Sequence, residues 1–420
     1  MNTTIEYARQ QDQNDPLARF REKFHIPTRP DGSEVIYLCG NSLGLQPKST
    51  EQYVQQELDD WKKFGVEGHF EARRPWLPYH EFLNKGMAEI VGGLPEEVIV
   101  MNTLTVNLHL LMVSFYRPTK DRHKILIEAN AFPSDRYAVR SQLSFHGYDP
   151  PEGLIEAGSE NSDEPFPTEK FLDLLKKQGS EISMILLGGV NYYTGQAFKL
   201  REICEAAHEQ GVVVGYDLAH AAGNIPLRLH DWGVDFAAWC NYKYINSGPG
   251  APAGAFIHER HLGRKDLPRF HGWWGNDKAV RFKMSDRMQP FQTAEAWQLS
   301  NPPILAMAAV LASLDIFQEA GIANLREKSV KLTGYLEFML SQIKTDQLRV
   351  ITPKNPDERG CQLSLQLTHP SSRIMKALRE RGVVCDWREP DVIRIAPVPL
   401  YNTFEDVYKF VHNLTEILLV

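Results

Sequence analysis

Short apolar runs alternate with amphipathic stretches through the middle of the chain. Lys124-Ile-Leu-Ile-Glu-Ala129 reads as a strand, and residues 134–146 as the helix after it. Ile182-Ser-Met-Ile-Leu-Leu187 is a second buried strand, running into Gly188-Gly189. Leu200, Ile203, Cys204 and Ala207 recur at helical spacing across 199–210, and Gly211 stands where that helix stops. Val212 to Tyr216 and Phe236 to Cys240 continue the series of apolar runs. Strands alternating with helices predict an α/β fold, a mostly parallel central sheet with helices on both faces.

Segment 151–168 is rich in Glu, Ser, Asp and Pro and predicts a surface loop. The last hundred residues change character. Gln362-Leu-Ser-Leu-Gln-Leu367 alternates like a half-exposed strand, Arg373 to Arg381 is helical, and Val383 to Asp386 and Val392 to Ile395 are short strands. Thr403-Phe-Glu-Asp406 is a capping box that opens a final amphipathic helix to about residue 418. These elements predict a smaller α+β domain. The prolines of Asn301-Pro302-Pro303 mark its start. The expected division is an N-terminal arm with part of the small domain over 1–65, a large domain over 66–302 and the small domain over 303–420.

Composition narrows the partners. A net charge of −7, from 46 basic and 53 acidic residues, argues against a nucleic-acid surface. No apolar run approaches a membrane span, and residues 1–16 lack the apolar core of a signal peptide. The five cysteines are scattered, with no Cys-x-x-Cys pair, which fits a reducing cytoplasm. No His-x-x-x-His spacing, Gly-x-Gly-x-x-Gly or P-loop occurs, so neither a metal nor NAD nor ATP is expected.

Two of the apolar runs end in reactive groups. Asp217 closes the run Gly211 to Tyr216, where a parallel strand would deliver it to the ligand edge of the sheet. Lys243 follows the next run, in Trp239-Cys-Asn-Tyr-Lys-Tyr244. A lysine amine forms a Schiff base with an aldehyde cofactor, and an aspartate holds a pyridinium nitrogen protonated. The pair therefore describes a pyridoxal phosphate site. The plain alternative, a helix-capping aspartate and a solvated lysine, is weakened by the aromatic flank of Trp239, Tyr242 and Tyr244.

Three further parts are needed. Asn102-Thr-Leu-Thr-Val-Asn-Leu-His109 places hydroxyl residues before an apolar helical run and offers a helix N-terminus to a phosphate; an ordinary Thr cap is the competing reading. Phe132-Pro-Ser-Asp135 brings an aromatic ring and a carboxylate to the same sheet edge, although a Phe in a turn is commonly core. Arg394 interrupts the apolar strand Val392 to Ile395. It suits a substrate carboxylate, or else an internal salt bridge. The run His271-Gly-Trp-Trp-Gly275 points to close packing beside a flat ligand or at a subunit contact.

Taken together the chain resembles the kynureninases, fold-type-I pyridoxal phosphate enzymes of tryptophan catabolism. The likeness runs through Leu38-Cys-Gly-Asn-Ser-Leu-Gly-Leu-Gln-Pro47, Arg74-Pro-Trp76, Met101 to His109, Phe132 to Asp135 and Tyr192-Tyr-Thr-Gly195. It continues through Asp217-Leu-Ala-His220, Asn241-Tyr-Lys-Tyr244, Gly272-Trp-Trp-Gly275, Ser300-Asn-Pro-Pro303 and Arg394 to Tyr401. The resemblance implies a homodimer with shared active sites. It implies that Lys243 carries the cofactor, Asp217 pairs with its nitrogen, and Leu104, Thr105, Tyr242 and Trp273 hold its phosphate. Phe132 would stack on the ring, with Pro133, Ser134, Asp135 and His220 beside it, and Trp273 and Asn301 would come from the partner subunit. Arg394 would bind the substrate α-carboxylate, with Ser42, His69 and Asn301 also lining the substrate site. Kynureninases often carry a proline near Leu187-Gly188-Gly189, so no contact is assigned at Gly188.

The implied reaction is hydrolysis of L-kynurenine, or its 3-hydroxy form, to an anthranilate and L-alanine. Lys243 is the base, and Tyr242 is a candidate acid–base partner or only a phosphate ligand. His69 and Asn301 match the branch that favours the 3-hydroxy substrate. Two other readings compete. A desulfurase-like lyase or aminotransferase is the nearer; a desulfurase would need a mobile reactive cysteine, and the one candidate, Cys361, lies at the start of a strand. A non-catalytic sensor or scaffold of this fold would need an appended DNA-binding or partner domain, for which no spare length and no basic helix are expected.

Overall fold

Seven strands pair into one sheet, and six of them are apolar runs so nearly buried that they leave no face for water. The computed structural model describes residues 1–158, 164–369 and 372–419. The strands are β1 (Val98–Met101), β2 (Lys124–Glu128), β3 (Leu154–Ala157), β4 (Ile182–Gly188), β5 (Val213–Asp217), β6 (Phe236–Trp239) and β7 (Ala253–Ile257). Their order across the sheet is β1-β7-β6-β5-β4-β2-β3. Strands β2 to β6 are parallel, and β7 runs antiparallel to both β1 and β6. The parallel strands therefore finish at one edge. Glu128, Gly188 and Asp217 end β2, β4 and β5 there, with Gly188 paired to Asp217 in register.

Strand β3 corrects the expected loop over 151–168. A short helix, Pro150–Gly153, precedes it, and the helix Thr168–Gln178 begins inside the same segment; residues 159–163 lie outside the described residues. An edge strand needs only one partner, and β3 finds it in β2, so its polar composition hides the pairing.

The second sheet is antiparallel, with β8 (Leu348–Val350), β9 (Leu363–Leu367), β10 (Asp386–Arg388) and β11 (Val392–Ile395) in the order β10-β11-β9-β8. β9 is buried except at Gln366, not half-exposed as its alternation predicts. Its leucines enter the small core, and its polar face is covered by the loop after β4. There Ser364 Oγ donates to the Tyr193 carbonyl at 2.5 Å and Gln362 Nε2 to the Tyr192 carbonyl at 3.0 Å. These bonds dock the small sheet on the ligand edge of the large one. The capping box forms as expected. Asp406 N–H donates to Thr403 Oγ1 at 3.0 Å, Thr403 N–H donates to Asp406 Oδ2 at 3.1 Å, and the helix spans Phe404–Leu418.

The small core gathers Leu332 to Leu418 with Ala8, Ile36 and Leu38 from the N-terminal segment, and Ile36–Tyr37 pairs in parallel with Val383–Val384. The helix Ile304–Ala320 packs on Thr50–Phe64 and Glu81–Val91 and shares the large core. Among the described residues no single helix is long and apolar enough to cross a membrane.

Candidate active site

The carboxyl edge of the large sheet floors a cavity of about 390 Å³, lined also by Arg388 and Arg394 of the small sheet. That volume suits a small organic ligand. Lys243 stands in the cavity with Nζ 3.0 Å from His220 Nε2. An ammonium only donates, so His220 accepts at Nε2 and keeps its own proton on Nδ1. Burial, then the Lys243 charge, holds the imidazole pKa well below its ordinary value, so the ring stays neutral. The rings of Phe132 and Tyr242 flank the amine, with centroids 5.9 and 6.0 Å from Nζ. The loop carrying Lys243 is held from outside. Gly44 N–H donates to the Tyr242 carbonyl at 2.9 Å, and a Cβ on Gly44 would collide with the Lys243 carbonyl. This approach also brings Asn41 and Ser42 to the cavity wall.

Three carboxyls share the floor. Asp217 Oδ1 accepts the Ala219 N–H at 2.7 Å. Asp135 lies against it, and burial together with the Asp217 charge pushes the Asp135 pKa well up. Burial raises the Asp217 pKa too, but the hydrogen bond with Asp135, the Ala219 N–H and the Lys243 charge pull it back, so of the pair Asp135 is the one that keeps the shared proton. Asp135 Oδ1 and His220 Nδ1 are buried with no partner among the described residues. The third carboxyl, Glu128, was not singled out in the sequence. It accepts the Gly188 N–H at 3.0 Å, and burial raises its pKa to about 7.

The helix Leu104–Phe115 points its N-terminus at the cavity, with Thr103, Leu104 and Thr105 in the wall. Thr103 makes no side-chain capping bond, so the reading of it as an ordinary Thr cap gains no support. The first-turn N–H groups remain available to an anion. Thr105 Oγ1 instead lies 2.8 Å from Ser134 Oγ, in the first turn of the helix Pro133–Phe145, so two helix N-termini meet at one place. Tyr242 adds a phenol whose pKa burial has raised.

Arg394 forms the internal salt bridge that is one reading of it, and it also faces the cavity. It is ion-paired to Asp386 and donates to the Tyr192 carbonyl at 2.9 Å, yet it lines the cavity and its buried Nε has no partner among the described residues. Arg388, which the sequence did not mark, donates to the same Asp386 at 3.0 Å and also has a buried, unpartnered Nε. Tyr192 sets its ring edge-on to Phe132 at 5.3 Å.

Residues 325–414 match the kynureninase C-terminal domain family. A kynureninase of Koribacter versatilis is 55% identical over 412 residues, 98% of this chain and 97% of that protein. One of Myxococcus xanthus is 54% identical over 408 residues, 97% of this chain and 96% of that protein. The chain belongs to the kynureninase family. Among solved structures, a cysteine desulfurase of Thermococcus onnurineus superposes with a TM-score of 0.78, covering 96% of this chain and 98% of that one at 17% identity. A cystine C-S lyase, C-DES, in complex with cysteine persulfide superposes with a TM-score of 0.77, covering 92% and 99% at 17% identity. These likenesses establish the fold, fold type I.

A kynureninase site calls for pyridoxal phosphate, and the residues fit it. A lysine amine, a charged aspartate, two helix N-termini and unpartnered polar atoms on Asp135, His220, Arg388 and Arg394 surround one cavity. Of the residues singled out in the sequence, Leu104, Thr105, Phe132, Ser134, Asp135, Asp217, His220, Tyr242, Lys243, Arg394 and Ser42 line it. Pro133 does not; it opens its helix at the position where a missing N–H costs nothing. Trp273, Asn301 and His69 are also outside this wall. Trp273 is 43% exposed, and its Nε1 donates to the Arg281 carbonyl at 3.2 Å. His69 Nδ1 contacts the Val66 carbonyl at 2.9 Å, and its ring meets Trp76 edge-on. Cys361 is buried, and burial pushes its thiol up to about 12, so it is not a ready thiolate.

Proposed function

We propose that this chain is a pyridoxal-phosphate-dependent kynureninase. It hydrolyses the Cβ–Cγ bond of L-kynurenine, its 3-hydroxy form, or both, giving anthranilate or 3-hydroxyanthranilate and L-alanine. The observation that carries the reading is Lys243, the Asp135–Asp217 pair and Arg394 around one cavity, in a chain 55% identical to a kynureninase over 98% of its length.

The bound cofactor supplies an electron sink for the bonds broken at the substrate's Cα and Cβ. The protein's groups do the rest. Arg394, with Arg388 beside it, orients the α-carboxylate. Lys243 would hold the cofactor, and its amine is the base for the Cα proton. His220, held neutral, accepts a hydrogen bond from that amine and does not compete as a cation. Asp217 keeps the pyridine nitrogen protonated, and the helix N-termini at Leu104–Thr105 and Ser134 hold the phosphate. The Tyr242 phenol keeps its proton at neutral pH because burial raises its pKa, which suits it to protonate the substrate Cβ once water has added to the ketone and the Cβ–Cγ bond has broken, the electron pair staying on the alanine fragment and the aroyl group leaving as the anthranilate acid.

The same reading makes the enzyme a homodimer with sites completed across the interface. An apolar groove of Trp61, Trp76, Pro303, Ile304 and Leu305 and the exposed rings of Phe270, Trp273 and Phe282 support it. Trp273 and Asn301 would then reach the partner's cavity. His69 and Asn301 would hydrogen-bond a ring hydroxyl and favour 3-hydroxykynurenine; a higher kcat/KM for unsubstituted kynurenine would contradict that preference. Five free cysteines support a reducing, cytoplasmic setting, with a role in tryptophan breakdown or pyridine nucleotide supply.

Adding L-kynurenine to the cofactor-loaded protein tests the activity. Anthranilate fluorescence should rise, and Lys243→Ala should abolish it. No product from either the plain or the 3-hydroxy substrate would refute the proposal.

A further inference from the structure

Glu128 has no task in the chemistry above, yet it is buried at the floor of the cavity. It ends β2, two strands from Asp217, and its carboxyl reaches across the end of β4. It reaches because residue 188 has no side chain. A Cβ there would stand 2.7 Å from Glu128 Oε1, so glycine leaves the carboxyl its seat. The Gly188 N–H donates to Glu128 Oε2 at 3.0 Å, a bond that proline could not make. Gly188 is paired in register with Asp217, which places the Glu128 carboxyl beside the Asp135–Asp217 pair.

We propose that Glu128 is the third carboxyl of the cofactor site, a positioning residue that acts through Asp217 and, seated over Gly188, adjusts the charge beneath the pyridine nitrogen. The inference rests on the reading that Asp217 pairs with that nitrogen. The ionisable groups around Glu128 are Asp217 from β5 and Asp135 from the helix Pro133–Phe145; Lys243, His220, Arg388 and Arg394 complete the cavity. Burial, with Asp217 adding to it, brings the Glu128 pKa to about 7. The carboxyl is therefore neutral in mild acid and charged above neutrality. A second negative charge near Asp217 strengthens the hold on a protonated nitrogen.

Wild type, Glu128→Gln and Gly188→Ala are loaded with 15N-pyridine-labelled pyridoxal phosphate, and the nitrogen shift is followed against pH. Glu128→Gln keeps an acceptor for the Gly188 N–H but cannot ionise. Gly188→Ala keeps the acid but displaces it, since the clash is with the far end of a flexible side chain. The nitrogen should lose its proton at lower pH in both variants, by about one pH unit for Glu128→Gln, the size expected for one buried charge a few ångströms away. In the cofactor-free protein, one 13C-labelled glutamate carboxyl should titrate near neutrality and vanish in Glu128→Gln. A protonated nitrogen that titrates identically in all three proteins would overturn this inference alone. A wild-type nitrogen that is never protonated would overturn the Asp217 reading and this inference with it.

Discussion

At the residue scale the floor of the cavity is a problem of burying acids. Asp135 and Asp217 solve it by sharing a proton, and Glu128 by staying neutral until about pH 7. The second solution has a measurable sign. An acid whose folded pKa is raised contributes stability at low pH and loses it as pH climbs from the ordinary 4.5 to about 7. Cofactor-free Glu128→Gln should therefore gain on wild type through that window, by at most about 3 kcal/mol at pH 8. Urea unfolding at pH 5 and pH 8 checks this, and a constant difference would contradict it. Arg394→Lys should raise the substrate KM about tenfold or more, since lysine cannot reproduce the guanidinium fork. Steady-state kinetics reads it, and an unchanged KM would place the carboxylate elsewhere. Asp217 and Lys243 were legible in the sequence because each reactive group follows an apolar run. Glu128 was not, because its role depends on the missing side chain of a residue far along the chain. Arg388 was hidden on a short edge strand, where an arginine reads as solvated.

At the element scale the site is made of ends: strand carboxyl ends supply the acids, and helix N-termini supply the anion cradle. The helix Leu104–Phe115 and the helix Pro133–Phe145 are tied at their first turns through Thr105 and Ser134. Thr105→Val should weaken pyridoxal phosphate binding about tenfold, the cost of one hydrogen bond to a charged group, with little change in folding stability. Equilibrium dialysis of the cofactor and a melting curve separate the two effects; unchanged affinity would free Thr105 of the role. Thr403→Ala removes half of the capping box far from the cavity and should cost about 1 kcal/mol of stability without changing cofactor affinity. The parallel core strands and the capped final helix were readable because burial and capping leave local marks. β3 was not, because an edge strand in a polar segment is specified by its neighbour β2. The burial of β9 was missed for a similar reason: what covers its polar face is a loop from the other sheet.

At the scale of the whole molecule one chain brings together most of the expected site but leaves Trp273, Asn301 and His69 outside the cavity. Sequence resemblance expected Trp273 and Asn301 to belong to the partner's site; the residues themselves gave only the run His271 to Gly275 as a ligand or subunit contact, and nothing at Asn301. The proposed sharing of sites across a dimer has a direct consequence. Lys243→Ala and a Trp273→Ala variant of low activity, mixed and allowed to exchange subunits, should recover activity toward about a quarter of wild type, because half the dimers are hybrids with one intact site of two. No recovery, with exchange confirmed, would place Trp273 in its own chain's site.

The central claim is that Lys243, at the mouth of the large sheet, is the residue that holds the cofactor. Borohydride reduction of the pyridoxal-phosphate-loaded protein, followed by peptide mass mapping, tests it most directly. The phosphopyridoxyl mass should lie on the peptide containing Lys243. A label on any other lysine, or none on a protein that carries the cofactor, would contradict the account.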